Sequence, residues 1–195
     1  IGVIIGGYNN DITSASTTSG IFSSYSSEIS GDYNAIIGGL SNSLSGSYGV
    51  IVGGQSVTIS SGASTTGNAS LGGYNINISG ENNVSVGGYS NTLTGGRWNT
   101  TVGGRGLQIT ANANYSINLG GYNNDIDASY SANIAGQNTD IGTNANYSVN
   151  VGGYNTHIDA EYSVNIGGYN TDIGDASGNL STSYSINIGG YDNKI

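Results

Sequence analysis

The residues of this chain with chemical potential fall into columns. Asp11, Asp125, Asp140 and Asp172 occupy one recurring position, each directly before an isoleucine. A column of carboxylates suggests calcium, which needs several oxygens converging on one point. The same position elsewhere holds Ser43, Thr58, Gln108, His157 and Lys194. A cation site tolerates neither a lysine nor the loss of its ligands from one repeat to the next. The column reads instead as an outward polar position on a strand. His157 is the only histidine and there is no cysteine, so neither a metal centre nor a triad is assembled. Asp125 with Asp127, and Asp159 with Glu161, are paired carboxylates, but they read as surface positions rather than a tuned acid–base pair. No catalytic residue, metal or cofactor is assigned, and the chain is not expected to be an enzyme.

Aromatic residues form the second set of candidates. The 15 tyrosines fall in two columns. Tyr122, Tyr154, Tyr169 and Tyr191 follow a glycine pair, whereas Tyr115, Tyr130, Tyr147 and Tyr162 precede one. Their parity relative to neighbouring apolar residues puts the rings inward or at corners, stacked as structural ladders that keep the hydroxyls wet. The other reading is a row of platforms for sugar rings. Trp98, with Arg97 before it, and Arg105, standing in a tyrosine position, depart from the ladder. A ligand contact would be sought at these three residues.

These columns exist because one unit recurs along the whole chain. Ile5-Gly6-Gly7-Tyr8-Asn9-Asn10-Asp11-Ile12 returns as Leu119 to Ile126 and as Ile188 to Ile195. The units start at Gly6, Ser23, Gly38, Gly53, Gly72, Gly87, Gly103, Gly120, Ala135, Gly152, Gly167 and Gly189, most often 15 residues apart and never closer. A short fixed period marks a solenoid, in which each unit buries its apolar face against its neighbours. Apolar residues stand before the glycine pair (Ile37, Val52, Ile166) and six residues after its first glycine (Leu44, Ile59, Ile173) in every unit. Apolar and polar residues alternate in steps of two, which is a strand signal. Abundant Gly, Ser, Asn and β-branched residues argue against helix. The predicted fold is all-β: a parallel β-solenoid, flattened into a β-roll, of about twelve coils of roughly 15 residues with two short strands per coil. Residues 1–195 form a single repeat array, expected to be a fragment of a longer fibre.

Two further features follow from this register. The residue two before the first glycine is Ile4, Ile21, Ile36 and Ile51 in the first units and Asn118, Asn133, Asn150, Asn165 and Asn187 in the last five. Its parity predicts an outward position. Stacked asparagines there would hydrogen-bond from coil to coil. Four stacked isoleucines would form a self-association stripe, or else a locally thicker core. The excess residues of the longer units, such as Ser60–Thr66 and Gly174–Ser183, are predicted to project from one edge.

Composition excludes several classes of function. The formal net charge is −9, with only Arg97, Arg105 and Lys194 basic. Phosphates could not be neutralised, so no nucleic-acid partner is expected. An anionic membrane surface is equally disfavoured. No apolar run is long enough to span a bilayer, so no membrane insertion is expected. Without cysteine, stability must come from stacking. Asn-X-Ser/Thr triplets begin at Asn68, Asn77, Asn83, Asn99, Asn114, Asn146 and Asn179, and they matter only in a cell that glycosylates.

Ser148-Val149-Asn150-Val151-Gly152 and Ser163-Val164-Asn165-Ile166-Gly167 resemble the Ser-Val-Ala-Ile-Gly repeats of trimeric autotransporter adhesin heads. The glycine pairs are similar to the Gly-Gly-X-X-Asn repeats of phage tail fibres. The resemblance spans the chain and implies a β-roll packed as a parallel homotrimer on a cell or virion surface, binding host glycan or matrix. The chain departs from it in a longer coil, the second glycine and the tyrosine columns. The resulting expectation is a non-catalytic extracellular structural and adhesive fibre segment. The alternative is a filament subunit stacking head to tail as an end-to-end polymer. An ice- or glycan-binding solenoid is a lesser reading, because the outward columns are mixed.

Overall fold

The computed structural model describes residues 1–13, 18–60, 67–174 and 184–195. The described residues are all-β, and successive strands alternate between two parallel sheets. Sheet one has 12 strands, from Gly2–Tyr8 to Ile186–Ile188; sheet two has 11, from Asp11–Ile12 to Tyr169–Ile173. Each strand pairs only with its equivalents in the adjoining coils, in the register Val149↔Val164↔Ile186. The chain is therefore a parallel β-solenoid, and every column of the sequence becomes a row of side chains running along the rod.

The glycine pair turns the chain from sheet one to sheet two, and its two members do different things. Gly38 has φ +71, and a Cβ there would meet nothing within 4 Å. Only its left-handed backbone favours glycine, which explains why Ser23 (φ 50) and Ala135 (φ 58) can take this place. Gly39 has φ +93, and a Cβ would lie 2.6 Å from the carbonyl oxygen of Gly54 in the next coil. The second glycine is thus demanded by the close stacking of coils.

An asparagine three residues after that glycine locks the corner. Asn42 Nδ2 donates to the carbonyl of Gly53 at 3.2 Å, and Asn42 Oδ1 accepts the Val57 N–H at 3.0 Å. Asn91 and Asn124 repeat the arrangement against Gly103 with Leu107, and Ala135 with Thr139. The opposite corner uses the same device. Asn83 Nδ2 donates to Gly95 O at 3.1 Å, and Asn83 Oδ1 accepts the Asn99 N–H at 2.9 Å. In later coils serines replace these asparagines: Ser148 Oγ donates to Ala160 O at 2.9 Å and accepts the Ser163 N–H at 3.0 Å. Buried backbone groups at both corners thereby find partners one coil away.

Inside the rod, the isoleucine column of sheet two is buried as the sequence predicts, from Ile29 through Leu44 and Ile109 to Ile173. The parity expected for sheet one is reversed. Ile21, Ile36 and Ile51 are fully buried, so these isoleucines are core and not a self-association stripe; Ile4, in the first coil, is 47% exposed. The residues expected to be core, before the glycine pair, face outward: Ile37 is 48% and Ile166 43% exposed. The expectation takes the apolar residues on either side of the Ile21, Ile36 and Ile51 column, such as Val164 and Ile166, as core, whereas in the structure they form the outer face and the residue between them is buried. Within the first coils, adjacent pairs such as Ile36-Ile37 and Ile51-Val52 give no contrast between faces.

Asn118, Asn133, Asn150 and Asn165 are likewise buried, not outward. They do form the expected ladder, but inside the rod. Asn150 Nδ2 donates to Asn133 Oδ1 at 3.0 Å, and both Asn165 to Asn150 and Asn187 to Asn165 are 2.7 Å. Thr139 Oγ1 and Thr156 Oγ1 donate across from sheet two to Asn133 Oδ1 and Asn150 Oδ1 at 2.9 and 3.1 Å. Asn118 instead donates to the carbonyl of Asn124 at 2.9 Å.

Of the longer inserts, residues 61–66 and 175–183 lie outside the described residues. Two shorter ones are described. Ala113 N–H donates to Thr110 O at 3.2 Å and Ala145 N–H to Gly142 O at 3.0 Å, closing turns that tuck the alanines into the core.

Candidate functional site

Sheet one presents an outward face of two apolar columns. Ala35, Val50, Val84 and Val164 represent the first, and Ile37, Leu71, Val102 and Ile188 the second. From Ala35 onward Thr100 is the only polar residue on this face, and no charge interrupts it. Sheet two is the opposite in character. Its outward side chains include Glu28, Ser43, Thr58, Gln108, Asp125, Asp140 and Asp172. Eleven strand intervals of about 4.8 Å and a width of about 12 Å give the apolar face an area on the order of 600 Å², at the upper limit for the largest patch on an ordinary monomer.

The tyrosines stand at the two corners, exposed rather than inward. In the ladder preceding sheet one, Tyr115, Tyr130, Tyr147, Tyr162 and Tyr184 stack at centroid separations of 4.9 to 5.1 Å. Each holds a left-handed φ, from 54 to 66, a conformation that is costly for a bulky side chain. Ring stacking offsets that cost. In the ladder after the glycine pair, Tyr154, Tyr169 and Tyr191 stack at 5.1 and 5.0 Å. Because the rings face one another, only their edges and hydroxyls are presented along most of each ladder. That arrangement is a structural ladder, not a row of free sugar platforms.

The three residues that depart from the ladders do not form one site. Arg105 belongs to the ladder after the glycine pair, where its guanidinium lies 5.1 Å from the Tyr89 ring and 5.4 Å from the Tyr122 ring. It serves as a cationic rung between two aromatics. Arg97 and Trp98 stand at the other corner. Arg97 Nε lies 3.0 Å from Glu81 Oε2 in the adjoining coil, and Trp98 stacks on Tyr115 at 6.5 Å.

Sheet two brings together the most strongly perturbed ionisable groups. His157 Nδ1 is 3.0 Å from Asp140 Oδ2. That hydrogen bond, with the negative charges of Asp140, Asp172 and Asp159, raises the histidine pKa despite partial burial. Burial, together with the charges of Asp127 and Asp140, lifts Asp125 to about 7. Thr110 Oγ1 donates to Asp127, and the Asn144 side chain donates to Asp159 at 3.1 Å. The carboxylates are thus spread along two neighbouring columns instead of converging on a centre: Asp127, Asp140 and Asp159 have side-chain partners, whereas Asp125 and Asp172 each keep one buried oxygen without one. Among the described residues no cluster of metal-ligating side chains occurs.

The glycosylation triplets are sorted by the fold. Asn68, Asn83 and Asn99 are buried corner clamps, whereas Asn77 is exposed. Asn179 lies outside the described residues. The clamps are the functional asparagines that column reasoning on apolar residues missed, although the Gly-Gly-X-X-Asn spacing carried their signal. No protein-family model matches the chain, and no characterised protein matches it in sequence.

Proposed function

We propose that this chain is a non-catalytic structural and adhesive segment of an extracellular fibre, displayed on a cell or virion surface, in which copies pack side by side as a homotrimer. One observation carries the reading: sheet one turns an uncharged apolar face outward along the rod while sheet two is polar. Side chains such as Ile37, Leu71 and Ile166 forfeit part of the roughly 1.5–3 kcal/mol that full burial of each would supply. A surface of that length and regularity is covered most completely by another rod with the same strand spacing. The face approaches the roughly 800 Å² that each partner contributes to a stable interface. The acidic columns then remain in water, where like charge keeps the fibres apart.

The test is molar mass by light scattering for the wild type and for a triple variant, Ile37→Lys, Val86→Lys and Ile166→Lys. A discrete multiple of the chain mass that falls to one chain in the variant, with the β spectrum retained, supports the reading. A monomeric wild type overturns it. Mass that grows with concentration and ignores the substitutions would favour end-to-end stacking instead.

A further inference from the structure

We propose that the two corner ladders form the seam between neighbouring copies: the rung that enters sheet one in one copy meets the rung that leaves it in the next, at the same level of the rod. The ladders border the outward apolar face on its two sides. The entering rung stands two residues before the first outward column, as Tyr130 before Ala132, and the leaving rung three residues after the second, as Gln137 after Ile134. The rings of both ladders are exposed.

A compensation between the two corners carries this inference. From Thr18 to Arg105 each coil has a single aromatic rung: Thr18 with Tyr25, Tyr33 with Leu40, Tyr48 with Gln55, Gly67 with Tyr74, Asn82 with Tyr89, and Trp98 with Arg105. The entering rungs are structurally equivalent, all left-handed, with φ of 50, 58, 59, 76, 55 and 61. The leaving rungs bridge one another in a single row, Tyr25↔Leu40↔Gln55↔Tyr74↔Tyr89↔Arg105. The two rungs of a coil are seven residues apart across sheet one, on the order of 20 Å. Ring contacts run along each column, as from Tyr33 to Tyr48 and from Tyr74 to Tyr89. Within one chain the two corners are too far apart to compensate for each other.

Between chains they meet. Copies related by rotation about an axis parallel to the rod turn opposite edges of sheet one toward each other and keep equivalent coils level. Rotation about a perpendicular axis would bring like corners together in reverse order. In the first arrangement every seam level from Thr18 to Arg105 receives one ring, and Arg105 stands level with the partner's Trp98, a cation beside an aromatic ring. The later coils adjust with the face. Two rings occur where the first outward column is large, at Ile117 (Tyr115 with Tyr122), Val149 (Tyr147 with Tyr154) and Val164 (Tyr162 with Tyr169), and one where it is small, at Ala132 (Tyr130 with Gln137). Larger face residues hold the rods further apart and leave a wider seam.

This inference rests on the side-by-side packing proposed above and adds its polarity, its register and its rim. The chain has no cysteine, so introduced thiols report contacts directly. In the double variant Tyr130→Cys, Gln137→Cys a short bismaleimide should give covalent multimers on a denaturing gel, whereas either single variant should stay at the mass of one chain. Multimers from Tyr130→Cys alone would show like corners meeting and overturn the proposal. A double variant that keeps its multimeric mass by light scattering yet does not cross-link would also overturn it, while leaving side-by-side packing intact. A monomeric wild type would remove both readings. A second set of variants reads the compensation itself. Leu40→Tyr places two rings at one seam level and should raise the dissociation constant of the assembly at least about tenfold. Adding Tyr33→Leu, on the far edge of the same chain, should restore it. Affinity unchanged by Leu40→Tyr, or not restored by the exchange, would contradict a shared seam.

Discussion

Asn165 Nδ2 donates to Asn150 Oδ1 at 2.7 Å, joining consecutive coils inside the rod. The same Asn150 oxygen accepts Thr156 Oγ1 from the facing sheet at 3.1 Å, and Asn150 Nδ2 reaches Asn133 Oδ1 at 3.0 Å. Buried polar groups are tolerable only when such networks close.

Asn150→Ala should therefore cost more than the loss of one hydrogen bond. It leaves Thr156 and Asn165 buried with unmet polar groups, a penalty of about 1–3 kcal/mol for each. Urea denaturation followed by circular dichroism measures it. A loss below about 1 kcal/mol would show that water replaces the missing amide.

The reversed parity of sheet one separates two substitutions that look alike in sequence. Ile141 is fully buried, so Ile141→Asp places an unpaired charge in the core and should unfold the central coils, at a cost of several kcal/mol. Ile166 is 43% exposed; Ile166→Asp should leave the β spectrum intact and weaken association. The comparison is circular dichroism with light scattering on both variants. Unfolding by Ile166→Asp with Ile141→Asp tolerated would reverse the assignment of the faces.

The two members of the glycine pair should differ as well. Gly38→Ala meets open space and costs about 1–2 kcal/mol for the left-handed backbone alone. Gly39→Ala drives a methyl toward Gly54 O and the Asn42 amide, and the coil above must move. Thermal melts of the two variants should fall in that order, and equal melting temperatures would contradict it.

Stability should decline from mildly acidic to mildly alkaline pH. Asp125 has a folded pKa of about 7 against an ordinary 3.8. Its contribution is complete below the lower value and lost as pH rises through the upper one. His157, raised above its ordinary 6.5 chiefly by the Asp140 hydrogen bond, acts in the same direction, contributing below 6.5 and losing that contribution as pH passes its folded value. Melting temperature should fall between pH 5 and pH 8, and Asp125→Asn should flatten the profile. A profile that rises across this range, or is unchanged by Asp125→Asn, would exclude the assigned role.

The sequence alone determined the architecture: the period, the two strands per coil, the sheet-two core from Ile29 to Ile173 and the stacking of equivalent residues. These follow from one-dimensional repetition, because in a solenoid neighbours in space are neighbours in phase. Only the tertiary structure decided which way sheet one faces. The left-handed residues at the corners, Gly152, Gly153 and Asn155 at one and Tyr147 at the other, rotate the strand by an amount that side-chain alternation cannot encode. In the last coils the hydropathy pattern favours the wrong choice, Val151 and Ile166 inside, whereas the structure buries Asn150 and Asn165 and turns Val151 and Ile166 outward. The asparagines can lie inside because each finds its partner one coil away.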